Sequence, residues 1–208
     1  MKKASIILGF TFLLIFLSSC LTTLHPIFTE KDLAYDPKLI GTWNIEREGN
    51  KERVTISNLA TENSVELPGN ISHIKQKGYL ISYQHEQGEN PERYIAFLAR
   101  IGKYLYLDYY PAYKKEDQKL DEFAGAHWVK MHTSYRVEIL NDGSFELSQL
   151  DGSYVESLIE QKKIRINHEM GVYDNIVITA STSELQKYLI KYSDEPEAYE
   201  SKKTIFKK

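Results

Sequence analysis

The sequence predicts a mostly β protein: an antiparallel up-and-down β-barrel of about eight to ten strands, with a C-terminal helix packed outside it. Three observations carry this expectation. From Leu39 onward, Tyr, Ile and Val alternate with polar residues at period two. Turn residues interrupt that alternation about every eight to twelve positions. Late in the chain the period changes to that of an amphipathic helix. So many antiparallel strands in about 160 residues cannot all lie in one open sheet, so they close into a barrel or split into a sandwich. Pairing between near neighbours favours the barrel.

Taken in order, Leu39, Gly41, Trp43 and Ile45 form the first apolar face, ending at Glu48-Gly49-Asn50. Val54 and Ile56 continue it. Ile71 to Lys75 and Tyr79-Ile81-Tyr83 read as strands joined at Lys77-Gly78, and Tyr94–Ile101 and Tyr104–Tyr110 flank Gly102-Lys103 in the same way. Val129 to Ile139 alternates as one long strand, and Asn141-Asp142-Gly143 turns it into Phe145-Leu147. Ser153-x-x-Glu156 is a capping box, with Val155, Leu158 and Ile159 on one face behind it. Strands near Ile164–Ile166 and Ile176–Ile178 follow. Ser181-x-x-Glu184 then opens a helix whose Leu185, Tyr188, Leu189 and Tyr192 form one stripe. The basic end, with Lys202, Lys203, Lys207 and Lys208, reads as a solvated tail.

Composition excludes several classes. Among 208 residues, 42% are apolar, too many for an intrinsically disordered chain. Lys+Arg 26 against Asp+Glu 29 leaves no basic excess for nucleic-acid binding. One cysteine makes no internal disulfide and no thiolate zinc cluster.

That cysteine sits at an informative place. Met1-Lys2-Lys3 is basic and Ile6 to Leu17 is almost wholly apolar, too short for the roughly 20 residues that span a bilayer. This is the pattern of a secretory leader. Leu17-Ser18-Ser19-Cys20 follows and resembles the bacterial lipobox, whose cysteine is acylated and becomes residue one after cleavage. The competing reading is an ordinary signal peptide with a chance cysteine at its end. The lipobox reading divides the chain into a leader (1–19), a lipid-anchored tether (20–38) and one domain (39–208). Two or three acyl chains give stable anchoring where one is marginal. The expected address is the bacterial cell envelope, and Leu21, not Asp, after the cysteine favours the outer membrane.

Gly41-Thr42-Trp43 at the head of the first strand looks like the Gly-x-Trp motif of lipocalins and wider calycins. In that family the Gly permits a close approach and the Trp plugs one end of the barrel. Leu107-Asp108-Tyr109 is similar to the family's Thr-Asp-Tyr motif but lacks the Thr. The Arg that stacks on the family's Trp has no clear counterpart, Arg165 being a candidate. Three longer phrases, Leu24 to Thr29, Asp36 to Trp43 and Thr179 to Gln186, resemble lipocalin-like lipoproteins of Bacteroidetes-type bacteria. That resemblance implies an envelope location and a small β-barrel, and it implies no known reaction.

The sequence has no Gly-x-Ser-x-Gly elbow, no phosphate-cradling glycine loop and no His-Glu-x-x-His helix. The six histidines are scattered, and no catalytic residue, metal ligand or cofactor site is assigned. The most unusual segment is Tyr104 to Tyr110. Alternation places Tyr104, Tyr106, Asp108 and Tyr110 on one face, where rings flanking a carboxylate suit a ligand pocket. Equally, tyrosine is a good strand residue, half buried with its hydroxyl in water. Trp128 is a second binding candidate, or a cap on the core under the preceding loop.

The leading functional expectation is a non-enzymatic envelope lipoprotein that binds a small apolar or amphiphilic ligand. Its partner would be the membrane, through acyl chains on Cys20. The alternatives are a structural or interaction module that meets another envelope protein, and an enzyme using Asp108 or a nearby Glu.

Overall fold

The alternation resolves into a meander. The computed structural model describes residues 20–47, 49–62, 65, 71–84, 91–112, 129–171 and 175–208. Seven strands follow one another as antiparallel neighbours: β3 (Gly41–Arg47), β4 (Asn50–Asn58), β5 (Gly78–Gln84), β6 (Glu92–Ile101), β7 (Tyr104–Pro111), β8 (His132–Ile139) and β9 (Phe145–Gln149). Short strands complete a mostly antiparallel sheet of twelve. β1 (Thr22–Thr23) lies between β8 and β11 (Ile176–Ile178), and β10 (His168–Met170) flanks β11. β2 (Leu33–Ala34) pairs with β6, and β12 (Thr204–Phe206) with β9. Among the described residues the α-helices are α1 (Gly152–Glu160) and α2 (Thr182–Tyr192), and none is long and apolar enough to cross a membrane.

The sheet does not close into the expected barrel. β12 and β3 touch through one isolated bridge, in which Asn44 N donates to Lys207 O at 2.7 Å and Lys207 N to Asn44 O at 3.0 Å. The reason is length: β12 has three residues against seven in β3, too few for a ladder between them.

The central strands are buried on both sides, which explains why β5 and β6 read as nearly continuous apolar runs. On one side Trp43, Ile45, Val54, Ile56, Ile81, Leu98 and Leu107 pack with Phe145, Leu147 and Phe206. On the other, Leu80, Ile95, Phe97 and Tyr106 are covered by Leu21, Ile27 and Phe28 and by the apolar faces of α1 and α2. Residues 20–38 are therefore part of the body: Leu21 N donates to Leu150 O and Leu24 N to Ile178 O.

Several expectations change in detail. Ser181–Glu184 forms the capping box of α2 as predicted, but α1 is capped by Asp151, which accepts from the N–H groups of Ser153 and Tyr154. Ser72–Lys77 is a 3₁₀ turn instead of a strand, and Ile164–Ile166 is not a strand. Gly78 sits tightly, since a Cβ there would lie 2.8 Å from Leu59 Cδ2 and Leu59 would have to shift. The basic tail is pinned: Phe206 is fully buried and stacks on Phe145 at 4.4 Å, and Lys203 meets Glu146 at 2.7 Å.

The Gly-x-Trp segment is buried at its tryptophan. Gly41 has φ +145°, a region that L side chains avoid. Trp43 is fully buried, donates from Nε1 to Leu39 O at 2.9 Å and meets the Phe145 ring edge-on at 4.9 Å. The cation over its ring is Lys208, with Nζ 5.1 Å from the centroid, whereas Arg165 lines a groove beside α2.

Candidate functional site

The inward face of the meander continues past the apolar core into four tyrosines on successive strands: Tyr83 on β5, Tyr94 on β6, Tyr109 on β7 and Tyr135 on β8. Register brings them together, since Ile81 pairs with Tyr94, Ala96 with Tyr109 and Leu107 with Tyr135. Their rings form a chain with centroid separations of 5.9, 5.7 and 4.9 Å from Tyr83 through Tyr94 and Tyr109 to Tyr135. The hydroxyls of Tyr83 and Tyr109 lie 3.2 Å apart.

These rings wall an open cavity of about 490 Å³, in the roughly 300–1,000 Å³ range of small-molecule sites. Leu147, Met131 and Pro111 add apolar surface, while Glu46, Glu92, Glu200 and Lys202 stand among its polar lining. Cys20 lines the same cavity, with an exposed side chain and a backbone bridge to Asp151. The arrangement can take up apolar or aromatic surface between rings and orient a polar group near the carboxylates.

The residues predicted for a pocket lie on the opposite face of the sheet. Tyr106 is fully buried, its hydroxyl 3.0 Å from that of Tyr199, and desolvation pushes it far above the ordinary phenol value. Tyr104 donates to Asp194 at 2.6 Å, and the Arg136 guanidinium stands between the Tyr104 and Tyr199 rings at 5.0 and 4.0 Å. Tyr110 packs on the His132 ring at 5.0 Å, where burial raises its hydroxyl. Asp108 is 1% exposed. It accepts from Ile27 N at 3.1 Å and Ser134 Oγ at 3.2 Å, and its Oδ1 lies 2.5 Å from His132 Nδ1. Together these side chains clamp the N-terminal segment and the chain after α2 onto the sheet. Trp128 lies outside the described residues.

Alternation thus puts Tyr104, Tyr106, Asp108 and Tyr110 on one face, and the tyrosine-lined cavity lies on the other. Parity in the sequence marks the cavity face: Tyr109 shares it with Leu105 and Leu107, and Tyr83 with Ile81, so both extend faces that bury apolar residues. Which face carries the cavity depends on which one the helices cover. No protein-family model, curated protein or solved structure matches the chain.

Proposed function

We propose that this chain is a lipid-anchored, non-enzymatic protein of the bacterial envelope. Its lipocalin-like sheet holds a small apolar or amphiphilic ligand against Tyr83, Tyr94, Tyr109 and Tyr135. The observation that carries this reading is the 490 Å³ cavity walled by those four rings. Two further features support the lipocalin-like part: the plugging of Trp43 beneath Phe145 and Lys208, and the bridge from Asn44 to Lys207 at the sheet's open seam. The lipobox-like segment ending at Cys20 supports the anchor and the envelope address.

Native mass spectrometry of the full-length protein purified from membranes tests the reading. The expected result is a co-purifying small molecule, together with the mass of acyl groups on the peptide that begins at Cys20. Repeated failure to find or load any ligand would sink the binding reading and favour an envelope interaction module.

A further inference from the structure

We infer that the rim of the tyrosine-lined cavity is the surface that meets the lipid bilayer, so that an amphiphile enters the cavity from the membrane without crossing water. This deepens the ligand-binding reading and rests on the acylation of Cys20 that belongs to it. Cys20 is held with no slack. Cys20 lines the cavity and bridges to Asp151; Leu21, the next residue, donates to Leu150 O and is 2% exposed; Thr22 and Thr23 are held between β8 and β11. A lipid on Cys20 is thus attached at the rim, with no length of free chain that would let the body turn away from the surface.

Polarity along the cavity fits the same orientation. Glu46, Glu92 and Lys202 are exposed side chains that gain nothing from hydrocarbon, so they hold the rim at the headgroup level and keep the body from sinking. Tyr83, Tyr109 and Leu147, which line the same cavity, are buried. A lipid molecule has this gradient too, with its headgroup among charges and its chain among rings. Entry from the bilayer keeps the chain out of water throughout, whereas a ligand arriving through solution exposes every CH₂ of it to water.

The experiment uses the full-length acylated protein in phosphatidylcholine vesicles containing a phosphatidylcholine with a diazirine on one chain. After illumination, cross-linked peptides are mapped by mass spectrometry. Adducts are expected on the peptides carrying Tyr83, Tyr94, Tyr109 and Tyr135. They should fall at least five-fold when a twelve-residue Gly/Ser insertion between Cys20 and Leu21 lets the body stand off by roughly 20 Å. Adducts confined to α2 or to β10 and β11 would overturn the orientation, and cavity adducts undiminished by the insertion would overturn delivery from the bilayer. A ligand that co-purifies with a cavity the membrane lipid never labels sinks this inference and leaves the binding reading standing. Absence of acyl mass on Cys20 sinks the anchor and this inference together.

Discussion

Asp108 Oδ2 accepts a hydrogen bond from the backbone N–H of Ile27 at 3.1 Å, joining positions 81 residues apart. The bond fastens the N-terminal segment across a buried carboxylate that Ser134 and His132 also contact. A carboxylate so far from water is tolerated because polar partners surround it.

Asp108→Ala should therefore destabilise the protein by about 1–3 kcal/mol, the range for leaving buried hydrogen-bond donors unsatisfied. Amide exchange at Ile27 should accelerate as well. A loss under about 1 kcal/mol in urea would show that the clamp is dispensable.

Trp43→Ala should cost about 3–5 kcal/mol, the range for emptying a large buried aromatic site. The ring fills the space between Phe145 and Lys208 and donates to Leu39 O, so truncation also leaves that carbonyl without its partner. A denaturant melt measures it.

Tyr109→Phe and Tyr106→Phe separate binding from packing within one strand. Each removes a hydroxyl that faces another tyrosine, Tyr83 or Tyr199, so each should cost about 0.5–1.5 kcal/mol. Only Tyr109→Phe should lower retention of a co-purified ligand by native mass spectrometry, because Tyr106 lies on the other face. Equal ligand loss in both variants would contradict the assignment of faces.

Gly78→Ala should destabilise by about 1–3 kcal/mol, as overpacking does. The new methyl would meet Leu59 Cδ2 at 2.8 Å and Phe97 Cε1 at 3.0 Å, and both side chains are buried with little room to retreat. A thermal melt of the variant at or above the wild-type value would mean that the pair relaxes freely.

Asp194 predicts a pH dependence. The Lys103 ammonium, and then the Tyr104 hydroxyl, hold its carboxyl below the ordinary 3.8. A lowered folded value means the contribution is complete above the ordinary value and disappears as pH falls through the lower one. The stability difference between wild type and Asp194→Asn should thus be flat from neutral pH to about 5 and close in stronger acid. A gap that widens on acidification would contradict the sign.

By itself, the sequence determined the strand meander, the hairpins at Gly102 and Asn141–Gly143, the capping box at Ser181–Glu184 and the burial of Trp43. Each depends on local spacing: period two, a turn residue, a cap four residues wide. Which face of the Tyr104–Tyr110 strand holds the cavity was decided only in the tertiary structure. Period-two alternation defines two faces but does not label them, and on this sheet both are buried, one by the helices and N-terminal segment and the other by its own curl. The tail was likewise beyond local reading. Ile205-Phe206 among lysines looks solvated until β9 supplies a partner and Phe145 a ring to stack on. The place of Cys20 beside four tyrosines was decided at the same level, because it depends on pairing between residues more than a hundred positions apart, which no local pattern records.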